Sequence, residues 1–95
     1  MPYEIRYSTE AVEDIGALRA VDRSGVRSAV VQHLTHQPTR LSQSRIKKMT
    51  QPFCSEFRLR VGEFRIYYDV DDAAQEVLIV RVIRKGSLQA PENSP

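Results

Sequence analysis

The feature that most constrains the fold of this chain is a strict alternation of apolar and charged residues on both sides of Gly62-Glu63. Residues 57–61 read FRLRV, and residues 64–68 read FRIYY. Glycine readily adopts the positive φ of the first central position of a type II′ turn, the usual two-residue turn between antiparallel strands. The pattern therefore predicts a β-hairpin.

A two-residue turn also fixes the register of this hairpin. The predicted pairs, from the turn outward, are Val61 with Phe64, Arg60 with Arg65, Leu59 with Ile66, Arg58 with Tyr67, and Phe57 with Tyr68. A slip of one residue would mix apolar and polar side chains on both faces. One face is therefore predicted to be apolar, and Tyr68 is expected to belong to the core.

The opposite face is predicted to carry Arg58, Arg60, Arg65 and Tyr67. Arginines directly across from each other repel one another unless an anion lies between them. The guanidinium group suits bidentate contact with phosphate, and the ring of Tyr67 offers a surface on which a base can stack. The face thus predicts a phosphate-binding site, the alternative being arginines that extend into water or pair with Glu56 and Asp69.

The rest of the chain predicts an α+β fold of order β-α-α-β-β-β, with a helical hairpin packed on a small antiparallel sheet. Residues 3–7 alternate as a strand, and Val77 to Ile83 form the last strand. The first helix is expected to begin at an N-cap, Ser8 or Thr9, and to face inward with Ala11, Val12, Ile15 and Leu18. The second is expected to be capped by Asp22 or Ser24, to face inward with Val26, Ala29, Val30 and Leu34, and to end near residues 37–39.

Length and composition indicate one domain in a reducing compartment. Ninety-five residues support one modest core, which we place in residues 1–86, with residues 87–95 as a flexible tail. The single cysteine cannot form an internal disulfide, and the sequence lacks a signal peptide and an apolar run of about 20 residues. The expected location is the cytoplasm.

Positive charge is concentrated in the middle of the chain. Residues 38–68 hold seven basic and two acidic side chains, a balance of +5, whereas the flanking segments balance to −1 and −2. Lys47 and Lys48 belong to this middle third, which is the expected docking site for a polyanion or an acidic partner. No cofactor or metal is predicted, because there is no glycine-rich phosphate loop and because His33 and His36 lack a supporting cluster of ligands.

Residues 57–68 resemble the strand-turn-strand segment of RelE/ParE toxins, which reads LR-x-G-x-YR-x-x-Y. The opening Tyr3 to Ala11, and Pro38 followed by a basic stretch ending in Lys47-Lys48-Met49, are also similar to that family. The resemblance extends from Tyr3 to Lys85. It implies a toxin of a type II toxin–antitoxin system that a cognate antitoxin neutralises.

RelE-like members of this family cut messenger RNA on the ribosome, and the resemblance implies the same partners and a metal-independent endoribonuclease here. In that reaction the ribose 2′-hydroxyl attacks the adjacent phosphate. By resemblance, Arg65 matches the arginine that stabilises the transition state, and Arg58 and Arg60 match basic positions of the preceding strand. Lys85 matches the basic residue after the last strand, with Arg84 as the rival. Arg84, Lys47 and Lys48 are also expected to contact RNA phosphates.

The chain departs from the family at two positions. Many active members carry a Tyr or His near the C-terminus, whereas residues 84–95 contain neither. A position that is often a lysine base is Arg58 here, and arginine stays protonated in proteins. Two other functions therefore remain open: ParE-like inhibition of DNA gyrase, and a degenerate toxin that only binds its antitoxin.

Overall fold

The helices and strands of the chain form two layers. The computed structural model describes residues 2–41, 45–48 and 55–85. Within these residues the elements are, in order, β1 (Glu4–Tyr7), α1 (Thr9–Gly16), α2 (Ala20–Leu34), β2 (Ile46–Lys48), β3 (Phe57–Val61), β4 (Phe64–Asp71) and β5 (Glu76–Arg84). The strands form one sheet in the order β1-β5-β4-β3-β2, and both helices pack on one of its faces. The predicted α+β fold is confirmed.

The register predicted for the central hairpin is confirmed at every pair from Val61–Phe64 to Phe57–Tyr68. Gly62 has a φ of +55°, and Gln75 is the only non-glycine residue of the described ranges with a positive φ. Because Glu63 therefore has a negative φ, the turn fits type II′. The backbone freedom of Gly62 thus sets the pairing of the two strands that carry most of the arginines of interest.

Two features of the sheet differ from the expectation. The predicted order contains no strand at β2, because three residues with one apolar side chain give no alternation signal. It pairs antiparallel with β3, with Ile46 opposite Leu59 and 6% exposed. β1 runs parallel to β5, with Glu4 opposite Glu76, so the sheet is mixed rather than purely antiparallel. The alternation of a strand does not tell the direction of its neighbour.

The helices differ slightly from the prediction in where the second one begins and in which side chains the first one buries. Ser8 is the N-cap of α1, and its Oγ accepts the Ala11 N–H at 3.0 Å, as expected. Val12, predicted to face inward, is 58% exposed because α1 buries mainly Ala11 and Ile15. The α2 helix begins at Ala20, with Arg19 as an N-cap that makes no side-chain cap. Asp22 lies instead in its first turn, where a carboxylate is favoured by the helix dipole.

The core lies between the helices and the sheet. It consists of side chains from both layers that are almost fully excluded from water, among them Val26, Val30, Leu34, Leu59, Ile66 and Ile79. Tyr68 belongs to it, as predicted. Its ring stacks on Phe57 at a centroid distance of 5.5 Å, and its hydroxyl donates to the Pro38 carbonyl at 2.6 Å. Burial raises the pKa of Tyr68, so this hydroxyl acts as a structural donor.

A bulge in β5 is tied to α1 by one carboxylate. Tyr67 pairs with Arg81 and Tyr68 with Ile79, so Val80 is the extra residue. Asp14 of α1 accepts the Val82 N–H at 2.9 Å and the Arg81 Nε at 2.7 Å. This carboxylate therefore fastens the helical layer to the edge of β5 beyond the end of β1.

The described residues include no helix with both the length and the apolar character that crossing a membrane requires. The predicted domain boundary after residue 86 and the predicted tail, residues 87–95, lie outside the described residues.

We expect Asp14→Ala to lower the free energy of unfolding by about 2–3 kcal/mol, because it removes one acceptor from a backbone N–H and from a partly buried guanidinium. Asp14→Asn is the matched control. Its amide oxygen can still accept the Val82 N–H, so we expect a loss of only about 1 kcal/mol. Urea unfolding measures both. An Asp14→Ala midpoint equal to that of the parent would show that this contact does not hold α1 in place.

Candidate nucleic-acid interface

The sheet face opposite the helices gathers four basic side chains, which we call the basic face: Lys47, Arg58, Arg60 and Arg65. Strand pairing arranges them in two adjacent rows. Lys47 of β2 pairs with Arg58 of β3, and Arg60 of β3 pairs with Arg65 of β4. The structure therefore brings together the three arginines predicted from the hairpin and adds Lys47 beside them.

The basic face combines exposed and half-buried cations. Lys47 and Arg60 are exposed, whereas Arg58 and Arg65 are half-buried. The Arg58 Nε is buried and has no hydrogen-bond partner in the described parts of the chain. A buried donor of a charged group is costly unless an acceptor binds it. This donor therefore marks a place where an anionic ligand would be stabilised.

In the part of the chain that the structure describes, no carboxylate forms an ion pair with the two arginines of β3, Arg58 and Arg60. Asp69, a predicted alternative partner, accepts the Glu56 backbone N–H at 2.7 Å. Two cations next to each other without a counter-charge favour the binding of a polyanion.

Tyr67 lies on this side of the sheet as predicted, but its ring is 1% exposed. Because β4 is the central strand, Tyr67 has Arg58 on one side and Arg81 on the other. The expectation that a base could stack on this ring is therefore corrected: the ring is not accessible in this structure. It forms part of the support beneath the arginines.

The structure separates Lys85 from its rival, Arg84. The Lys85 N–H donates to the Glu63 carbonyl at 2.5 Å, which places this exposed residue beside the hairpin turn. It follows Ile83, the partner of Arg65, by two residues, so the alternation of β5 directs it toward the basic face.

Arg84 lies on the helix side instead. It pairs with Phe64, and its guanidinium lies over the Phe64 ring at 4.7 Å. It forms ion pairs with Glu63 and with Asp22 at 3.7 Å. Lys48 is likewise directed away from the basic face, because it pairs with Phe57. Of the predicted phosphate-binding residues, Arg84 and Lys48 are thus not brought together with Arg65.

The position of Lys47 beside Arg58 was missed by sequence reasoning. The sequence indicated only that this segment is rich in basic residues. That count does not tell where Lys47 lies relative to the hairpin. Only the pairing of β2 with β3, through the buried Ile46, determines which of the two neighbouring lysines joins the arginines.

Two helices on one face of a small mixed sheet are the arrangement found in a class of small toxins of known structure. Residues 5–88 match the sequence profile of the ParE toxins of type II toxin–antitoxin systems, parDE. The chain belongs to this ParE toxin family, within the RelE/ParE superfamily that its hairpin resembles.

Individual relatives agree with this assignment. Toxin RelG of Mycobacterium tuberculosis is 27% identical over 88 residues, which cover 93% of this chain and 97% of that protein. The RelBE2 toxin–antitoxin complex of the same organism superposes with a TM-score of 0.78 at 26% identity, covering 92% of this chain and 95% of that chain. The isolated RelE toxin of E. coli shares the fold, with a TM-score of 0.63 at 18% identity over 92% of this chain and 88% of that chain.

We expect Arg65→Ala to abolish growth inhibition while leaving the fold intact, because Arg65 is the most enclosed cation of the two-arginine row. Arg6→Ala is the matched control: Arg6 is exposed on β1, pairs with Glu76, and lies at the other edge of the sheet. Growth after induction and circular dichroism of the purified variants are the measurements. A folded Arg65→Ala protein that is as toxic as the Arg6→Ala protein would remove Arg65 from the active face.

Proposed function

We propose that this toxin is a metal-independent endoribonuclease that cuts messenger RNA on the ribosome and thereby inhibits translation. The observation that carries the proposal is the basic face, where Arg58 has a buried donor without a partner in the described residues and lies in the row next to Arg65. Guanidinium groups are well suited to bind the oxygens of a phosphodiester. The similarity to Toxin RelG and to the RelBE2 toxin–antitoxin complex supports the toxin role on which this proposal builds.

The proposed reaction forms one bond to phosphorus and breaks another. The ribose 2′-oxygen bonds to the phosphorus, the bond to the 5′-oxygen breaks, and the products are a 2′,3′-cyclic phosphate and a 5′-hydroxyl. Negative charge accumulates on the phosphoryl oxygens in between, and preorganised cations stabilise it strongly. In our proposal Arg65 and Arg58 contact these oxygens, while Arg60 and Lys47 hold the flanking phosphates.

Two protons must move in this reaction, one from the 2′-hydroxyl and one to the leaving 5′-oxygen. Lys85, at the end of the basic face near the hairpin turn, is our proposed donor to the leaving oxygen. Glu56 is our proposed acceptor. It is exposed, lies two residues before Arg58, and forms no ion pair in the described ranges. The reaction proposed here needs no tyrosine or histidine near the C-terminus.

As a toxin of a type II system, this protein has a cognate antitoxin as its partner. Toxin–antitoxin complexes are among the structures that share its fold. We propose that an acidic segment of the antitoxin covers the basic face, because carboxylates can neutralise the same cations that would hold phosphate.

If Lys85 protonates the leaving oxygen, Lys85→Ala should slow single-turnover cleavage of ribosome-bound messenger RNA by about 10²–10⁴, the usual contribution of a positioned acid. Lys85→Arg should lose less if positive charge contributes more than proton transfer. Cleavage by Lys85→Ala at the rate of the parent would exclude this role. A parent that leaves the RNA intact and inhibits DNA gyrase supercoiling would replace the proposed function by the gyrase alternative.

Competition tests the position of the antitoxin. We expect the antitoxin to displace a non-cleavable RNA from the toxin, and charge reversal at Arg60, Arg60→Glu, to weaken both complexes by repulsion. Arg6→Glu, on the other edge of the sheet, is the control for net charge. Simultaneous binding of antitoxin and RNA, measured by fluorescence anisotropy and gel filtration, would show that the antitoxin leaves the basic face open.

A further inference from the structure

An open pocket of about 310 Å³ lies where the C-terminal end of α2 meets β2, on the helix side of the sheet edge. Most of the side chains around it end in hydrogen-bond donors, and in the described residues none of them is a carboxylate. The described lining consists of His33, His36, Arg40 and Arg45, together with Gln32, Gln37 and the apolar Ile46. The proposed reaction uses none of these residues.

The segment of chain that lines the pocket carries positive charge and no negative charge. Between Asp22 and Glu56 the sequence contains no acidic residue. Partial burial, and then the positive charge of Arg45, lower the pKa of His33. Both effects disfavour the charged imidazole, and the second shows that the Arg45 guanidinium lies close enough to act on His33.

The end of α2 does not cancel this field. The carbonyls of a helix C-terminus carry partial negative charge, but here neighbouring donors engage two carbonyls. The Thr35 hydroxyl donates to the Val31 carbonyl at 2.6 Å, and the Tyr3 N–H donates to the Thr35 carbonyl at 2.6 Å. The charged and titratable groups that face His33 are therefore Arg45, from the start of β2, and His36 and Arg40, from the connecting segment.

One hydrogen bond orients a cation of the pocket, and another joins the pocket to the strand that carries the basic face. Gln37 Oε1 accepts from the Arg40 guanidinium at 2.9 Å, which orients that side chain. The Arg45 carbonyl accepts the Arg60 N–H at 2.7 Å, so a single strand pairing joins the two sites. With strands about 4.8 Å apart, Arg45 lies two strands, or about 10 Å, from the strand of Arg65.

We propose that this pocket binds the phosphodiester backbone of the RNA strand outside the phosphate held by the basic face. The proposal rests on the function proposed above, and it adds a second contact that carries the strand around the β2 edge. Guanidinium and imidazole N–H groups are donors suited to phosphate. Ile46 is the only apolar side chain that the described residues give the lining, which favours a backbone phosphate over an apolar peptide anchor. RNA is therefore favoured over an acidic segment of the antitoxin.

The experiment compares Arg40→Gln with Arg19→Gln, a control of equal charge change whose side chain is 80% exposed at the start of α2. The probe is a fluorescent single-stranded RNA with 2′-O-methyl riboses, which cannot be cleaved. We expect Arg40→Gln to weaken binding by roughly tenfold at low salt. The slope of log K against log salt should fall by about 0.7, the value for one phosphate contact to a single strand. Arg19→Gln should match the parent in both.

Inorganic phosphate provides a second measurement on the parent protein. Anion binding in the pocket should raise the pKa of the His33 imidazole, because the cationic form gains a partner. An NMR titration of His33 with and without phosphate measures this pKa. An Arg40→Gln protein with the RNA affinity and salt slope of the parent, or phosphate that leaves His33 unperturbed, would overturn the proposal. So would a variant that loses affinity for the antitoxin alone.

Cleavage of ribosome-bound messenger RNA by the parent is measured in parallel. RNA binding that depends on Arg40 supports the pocket even if the parent cleaves nothing, in which case only the proposed function fails. A parent that cleaves RNA while Arg40→Gln binds the probe normally overturns the pocket alone.

Discussion

The register of the β3–β4 hairpin is the constraint on which the rest of this structure depends. Because Gly62 accepts a positive φ, the turn is two residues long, and every apolar side chain of the hairpin falls on one face. That face receives the helices, which bury it. The same register leaves Arg58, Arg60 and Arg65 together on the other face, so the packing that stabilises the fold also assembles the cations.

The helical layer then determines which cations remain available. Arg84 is drawn to the helix side by Asp22, Glu63 and the ring of Phe64. Arg81, which pairs with Tyr67, is held by Asp14 of α1. These arginines fasten the two layers to each other. The arginines of β3 lie two strands away from β5, and the described residues give them no ion pair. The arginines that pair with carboxylates therefore stabilise the fold, whereas we propose that the arginines of β3 bind RNA.

Sequence reasoning predicted the hairpin well because its evidence is local: the alternation and the turn glycine together leave one consistent register. It failed where the evidence is not local. The three residues of β2 carry no period, and the parallel pairing of β1 with β5 joins segments some 70 residues apart. The burial of Tyr67 also depends on neighbours from two strands, so a single strand could not reveal it. For the same reason, the sequence alone left Lys47 and Lys48 equivalent.

The central claim is that the basic face holds a phosphodiester while its ribose 2′-oxygen attacks it. End-group analysis of messenger RNA after incubation with purified toxin and ribosomes tests this most directly. The account predicts breaks within the translated sequence that leave a 2′,3′-cyclic phosphate on one fragment and a 5′-hydroxyl on the other. Intact RNA under conditions where the toxin still arrests growth would contradict it, and so would fragments bearing 5′-phosphates, which require attack by water instead.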